Sequence, residues 1–240
     1  MPIVPVADRR AWELVLAHIE ADLLDGRLRP GDRLPGERAL AADLGVGRSS
    51  VREAIRVLEV LGLIRTAVGS GPSAGAIIVA IPGGGMSALM RLQVAAQGFP
   101  VADVVKTRLV LEASVVTELA TGSARPDLSD STRLLEAMES RELTEAEFLA
   151  LDAQFHLSLA EASGNQVVSA TMAGLRSAIE AYARAGARSL ASWPETSARL
   201  MAEHRAILAA IAAADPEGAR RAVHDHISGY YAETSLTGNR

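Results

Sequence analysis

Pro82-Gly83-Gly84-Gly85 interrupts the regular patterns on both sides of it, and that break constrains the fold more than any other stretch of the chain. Proline lacks a backbone donor, and glycine loses more backbone entropy on folding than any other residue, so local preference carries neither helix nor strand through such a run. The patterns before the break are short, whereas those after it are long, Ala- and Leu-rich and helical in period. Each side must then bury its own apolar face. The sequence therefore predicts two domains, residues 1–80 and 87–240, joined by a glycine-rich linker at 81–86. With 240 residues, 49% of them hydrophobic and 22% charged, there is enough apolar surface for both to have a core.

Aromatic residues make up only 3% of the chain and β-branched runs are few, which favours helix over sheet. The absence of cysteine excludes disulfides, thiolate ligands and thiol catalysis, so any metal must be held by His, Asp and Glu. No apolar run approaches the roughly 18 residues of a membrane-spanning helix, and the N-terminus lacks the basic-then-apolar pattern of a signal peptide. The expectation is a cytoplasmic protein with no membrane partner.

In the first half, Ala11, Trp12, Val15, Leu16, Ile19 and Leu23 recur at helical spacing and predict a helix over about 8–25. Two short helical patterns follow, at about 36–44 and 47–61, hinged at Gly45-Val46-Gly47. In the second, Arg48, Arg52 and Arg56 repeat every fourth residue while Val51, Ile55 and Leu58 occupy the other side. A packed face backed by a cationic one is the form of a DNA-binding helix-turn-helix. Residues 1–80 carry ten arginines against ten acidic residues, so the cationic character is local: residues 45–66 hold Arg48, Arg52, Arg56 and Arg65 against Glu53 and Glu59. Leu63–Thr66 and Ala76–Ala80 read as two strands around a glycine-rich tip, a hairpin wing, with a further short strand near Asp32–Pro35.

Beyond the linker, helices are predicted at about 87–97, 101–122, 127–140, 144–162, 165–190, 194–213 and 216–235, with stops at Gly98, Pro126, Gly164-Asn165, Pro194 and Pro216. Asp152 and His156, four residues apart, share a helix face. His204 lies in an amphipathic pattern with Leu200, Ile207 and Ile211, and His226 in one with Ala222, Val223 and Tyr230, so both can point inward. His224 is about 200° of helix rotation from His226 and belongs on the surface, while His18 is in the other domain. Asp152, His156, His204 and His226 can close around one divalent ion with a position left open, a set that suits Zn, Ni, Mn or Fe without choosing among them. Arg108 and Glu112 have the spacing of a helical ion pair, and Asn165 is placed to cap a helix.

Arg33 through Ala41, Leu44-Gly45-Val46, Val51-Arg52-Glu53-Ala54, Leu58-Glu59 and Gly62-Leu63-Ile64 form an ordered series that resembles the winged helix-turn-helix of GntR-type bacterial transcription regulators. Arg108 through Glu112, Asp152 through His156, Gly164-Asn165, Glu203-His204 and His226-Ile227 resemble the FCD ligand-binding domain of the FadR subgroup. The resemblance covers nearly the whole chain. It implies a mostly α fold, with an N-terminal winged helix-turn-helix and its small β-hairpin wing followed by an all-α helical bundle. It also implies DNA contacts from Arg38, Arg48, Ser49, Ser50, Arg52 and the backbone of Gly69, with the base-reading arginine left open. Two departures stand out: the wing tip is Gly69-Ser70-Gly71 where the family has Gly-Arg-Gly, and Gly36 and Gly47 replace the usual serines.

In the body the resemblance implies that Arg108 points into an effector cavity, with Glu112 and Asn165 grouped beside it. A small carboxylate would place one oxygen on the ion and one on the guanidinium. The expected molecule is a homodimeric repressor, not an enzyme, that binds a short palindromic operator in double-stranded DNA. The rival is a metal-dependent hydrolase with an accessory DNA-binding domain, prompted by the open Asp/His set and by His224-Asp225. It is disfavoured because the spacing shows no further carboxylate clustered near these histidines. A third reading, a body that only dimerises, predicts no metal or ligand at all.

Overall fold

The computed structural model describes residues 10–67, 75–79, 84–96, 99–122, 124–139 and 143–234. The chain divides into two compact units, Met1–Gly85 and Met86–Arg240, each with its own hydrophobic core.

The first unit contains α1 (Ala11–Leu24), α2 (Glu37–Leu44), α3 (Arg48–Val60), β1 (Ile64–Ala67) and β2 (Gly75–Ile78). Val51, Ala54, Ile55 and Leu58 put one face of α3 into the core with Val15 and Ile19 of α1, leaving Arg48, Arg52 and Arg56 exposed on the other. Gly45 ends α2 at φ 64, a left-handed conformation that a β-carbon would strain, and this sets the sharp turn into α3. β1 and β2 pair antiparallel from Ile64↔Ile78 to Ala67↔Gly75, so the predicted strands are each displaced by one residue at their starts. The short strand expected near Asp32–Pro35 is a single bridge, Arg33 to Ile77. Glu59 at the end of α3 accepts from the Thr66 backbone at 3.0 Å and from its hydroxyl, fastening β1 to the helix. The wing tip, with Gly69, lies outside the described residues.

The second unit is a bundle of α4 (Gly84–Ala95), α5 (Val101–Thr121), α6 (Ser129–Met138), α7 (Glu145–Ala162), α8 (Gln166–Ala187), α9 (Trp193–Ala212) and α10 (Pro216–Glu233). The helix expected over about 87–97 runs over Gly84–Ala95, so its start includes two glycines. α4 lies against α8 so closely that a β-carbon on Gly174 would sit 2.8 Å from Met90 Cβ. The last four helices begin on side-chain caps: Thr144 with Glu147 for α7, Asn165 for α8, Ser192 for α9 and Asp215 for α10. α10 packs along α5 and α9, and α7 along α8 and α6, around Val116, Leu149, Phe155, Leu200, Ile207, Val223 and Ile227. That arrangement turns the inner faces of α5, α7, α9 and α10 toward a common interior. Among the described residues no helix is long and apolar enough to cross a membrane.

Candidate metal centre and DNA-facing surface

Asp152 and His156 occupy successive turns of α7, His204 projects from the middle of α9 and His226 from α10, and all four are buried. Each sits among core residues of its own helix: Leu149 and Leu159, Leu200 and Ile207, Val223 and Ile227. The hydrophobic face that packs the bundle thus also delivers the polar groups. One ligand atom from each residue lies within 4.8 Å of all the others. Asp152 Oδ1 is 3.1 Å from His204 Nε2, 3.7 Å from His226 Nε2 and 4.0 Å from His156 Nε2.

The outer ring nitrogens explain the inner ones. His226 Nδ1 donates to Glu203 Oε2 at 2.9 Å, and His156 Nδ1 is pressed against Glu112 Oε2, off the line of an ideal hydrogen bond. With protons on both Nδ1 atoms, both Nε2 atoms present lone pairs, and these are 3.0 Å apart. Two acceptors at that separation repel. His204 Nε2, though close to Asp152, is not aligned to hydrogen-bond with it. The four groups converge closely enough to hold one cation between them.

Charge states agree with that role. Burial alone would raise the Asp152 carboxyl, but His204, His156 and His226 hold it well below the usual carboxylate range. Burial likewise opposes ionisation of Glu112, and the neighbouring Arg108 and His156 hold it at about 2. Burial and the neighbouring His204 push His226 down to about 3, and burial with Arg108 lowers His156, so these imidazoles are neutral, the form that binds metal.

Arg108 is 4% exposed and donates through Nε to Glu112 Oε1 at 2.5 Å, while its Nη2 has no hydrogen-bond partner among the described residues. The pair has the spacing of a surface ion pair but is interior, and it leaves an unfilled donor. Beside it is a small cavity of about 10 Å³, lined by the polar Arg108, Asp152, His226 and Tyr230 and by the apolar Leu149, Leu200 and Ile227. Glu112 bridges Arg108 to His156, so its observed partners are protein groups. Asn165 is exposed, and its side chain accepts from Val167 and Val168 at 3.2 Å each, which occupies it as the cap of α8. His224 is exposed beside Asp225, as helix rotation requires, and His18 pairs with Asp22 in α1.

The expectation that no further carboxylate clusters near the histidines is overturned by Glu112 and Glu203. Glu112 was legible as Arg108's partner but not as His156's, because that contact runs between helices. For Glu203 the signals were adjacency to His204 and its place in the Glu203-His204 stretch of the resemblance, neither of which gave its partner: a helix step of about 100° turns it from the interior to the α9–α10 seam.

In the first unit Arg38, Arg48, Ser49 and Arg52 are exposed and Ser50 is half-buried. Arg52 forks onto Glu37 of α2, with Nε 3.3 Å and Nη2 2.9 Å from its carboxylate oxygens, and Arg48 Nη2 is 4.0 Å from the same group. Arg52 holds the Glu37 carboxyl below its usual value.

A winged helix-turn-helix with an exposed cationic helix face, joined to a helical body with a buried Asp/His cluster, defines a class of DNA-binding regulators with a sensing domain. Residues 13–72 match the bacterial regulatory proteins of the gntR family and residues 103–229 match the FCD domain. The chain belongs to the GntR family of transcriptional regulators, in its FCD-containing branch. It is 31% identical over 224 residues to the Glc operon transcriptional activator of Escherichia coli, covering 91% of this chain and 87% of that protein. Over 229 residues it is 32% identical to the HTH-type transcriptional repressor NanR of Klebsiella aerogenes, covering 93% and 85%. The solved structure of Streptococcus agalactiae GntR shares the fold, with a TM-score of 0.58 at 24% identity over 92% of this chain and 98% of that one.

Proposed function

We propose that this regulator is a homodimer whose heads bind a short palindromic operator and whose body binds a divalent metal and a small carboxylate effector. The observation that carries the reading is the convergence of Asp152, His156, His204 and His226 on one buried point beside the unpartnered Nη2 of Arg108. The side chains fit a metal: one ligand atom from each lies within 4.8 Å of all the others, and one carboxylate with three imidazoles leaves a coordination position open. Zn, Ni, Mn and Fe all suit that donor set. When bound, the ion supplies a fixed positive charge for an anionic oxygen.

Arg108 supplies a directional donor for a second oxygen, and the apolar wall of Leu149, Leu200 and Ile227 favours a short, weakly polar remainder. Arg38, Arg48, Ser49, Ser50 and Arg52 are the DNA-facing side chains in this reading, together with the Gly69 backbone. A two-fold dimer matches a palindrome, and an effector that binds two head arrangements unequally changes operator affinity by that difference. We read the protein as a repressor acting in the cytoplasm, where the chromosome lies. The name of the Klebsiella aerogenes relative supports that sign, and the Escherichia coli activator supplies the opposite outcome for a transcription assay to decide. The hydrolase reading is not favoured, since both carboxylates behind the histidines, Glu112 and Glu203, are already engaged by arginine and histidine.

The test is elemental analysis of the purified full chain, followed by operator selection and binding measurements with and without small carboxylates. Stoichiometric metal and a carboxylate-dependent change in operator affinity are expected. Metal-free protein that takes up none, or carboxylates that leave operator binding unchanged, would overturn the proposal.

A further inference from the structure

The geometry points to Glu203 as a positioning residue of the metal centre: it fixes which nitrogen of His226 faces the ion, and it does so from a network that reaches the protein surface. This rests on the metal reading above, and the experiment separates the two. Glu203 follows the run of α9 that carries Thr196 and Arg199, one helical turn apart, toward His204. Its Oε2 accepts from His226 Nδ1 at 2.9 Å, and its Oε1 accepts from Arg199 Nη1 at 2.6 Å. Arg199 Nη2 continues to Glu233 Oε2 at 2.5 Å, and Glu233 Oε1 accepts from the Thr196 hydroxyl at 3.2 Å. His226 and Glu233 both belong to α10, two turns apart, so the network runs along the α9–α10 seam from a buried imidazole to side chains that are a third or more exposed.

A neutral imidazole places its lone pair on whichever nitrogen lacks the proton. Carboxylate acceptance at Nδ1 fixes the proton there and directs Nε2 inward. The three histidines differ in this respect. His156 has Glu112, itself locked to Arg108 in the interior; His226 has Glu203; His204 Nδ1 is buried with no hydrogen-bond partner among the described residues. Glu112 is no clean probe, because removing it strands a buried guanidinium. Glu203 is a quarter exposed and its arginine reaches the surface, so its loss is tolerable to the fold.

The experiment uses the full chain with Zn²⁺ as the probe ion, comparing wild type, Glu203→Ala and Glu203→Gln. Zinc affinity is read by chelator competition, and the His226 tautomer in the metal-free chain by nitrogen NMR of the imidazole. Wild type should carry its proton on Nδ1. Glu203→Ala should bind zinc on the order of 10- to 100-fold more weakly, with both tautomers populated and the metal-free melting temperature little changed. Glu203→Gln keeps an acceptor oxygen, so it should retain the Nδ1 tautomer and recover part of the affinity; a purely charge-based role would make Gln and Ala alike. Equal zinc affinity in wild type and Glu203→Ala, or a wild-type proton on Nε2, overturns the assignment. Failure of wild type to bind zinc or another divalent ion overturns the metal reading instead, and the tautomer result still decides whether Glu203 orients His226.

Discussion

Buried polar side chains are costly unless each finds a partner, and at the residue scale this makes the proposed ligand set testable one side chain at a time. His204→Ala and His226→Ala should each lose the bound ion, measured by elemental analysis after dialysis, because each removes an imidazole from a cluster whose ligand atoms all lie within 4.8 Å of one another. His224→Ala is the control, exposed and paired only with Asp225, and should keep its full metal content. Equal content in all three variants would exclude the site. On the proposed DNA-facing surface, Arg52→Ala should lower operator affinity and reduce the salt slope by about 0.9 if one phosphate contact is lost. It also leaves Glu37 without its forked partner near the polyanion. Glu37→Ala combined with Arg52→Ala should therefore bind DNA more tightly than Arg52→Ala alone, and filter binding across a salt series that ranks them the other way removes Glu37 from the interface. The arginine stripe and the inward-facing histidines were legible from periodicity alone. The Glu37–Arg52 fork and the carboxylates behind His156 and His226 were not, since each depends on how separate helices meet.

Helices and strands were legible wherever a local signal coincided with a boundary. Asn165, Ser192-Trp193-Pro194 and Asp215-Pro216 all mark helix starts, because side-chain caps and N-terminal proline act within one turn of the chain. α4 is the contrary case: its first residues are glycines, which local preference does not place in a helix, and its later residues Ser87 and Met90 lie close to Gly174 of α8. The close approach itself gives the element-scale prediction. Gly174→Ala puts a β-carbon 2.8 Å from Met90 Cβ, so α4 must shift, and destabilisation of about 1–3 kcal/mol is expected from overpacking. Chemical denaturation of the full chain measures it, and pairing with Met90→Ala should restore part of the loss by making room. A Gly174→Ala variant as stable as wild type would mean that α4 does not bear on α8 in solution.

Across the whole molecule, the two units have separate cores, one built around Val15, Val51 and Ile78 and the other around Phe155, Leu200 and Ile227. A single free energy of unfolding does not describe such a chain, and differential scanning calorimetry should resolve two transitions. All four proposed metal ligands lie in Met86–Arg240, so only the transition of that unit should respond to the ion. A ligand that binds only the folded state at 100 times its Kd stabilises by about 2.7 kcal/mol, and for a domain of this unit's size that raises the melting temperature by roughly 5–10 °C. Chelator should reverse the shift, and the transition of Met1–Gly85 should stay in place throughout. A metal-dependent rise in the first unit's transition, or one transition at every metal concentration, would show that the two cores melt as one. Regulation would then act through a shared stability instead of a change in the placement of the heads.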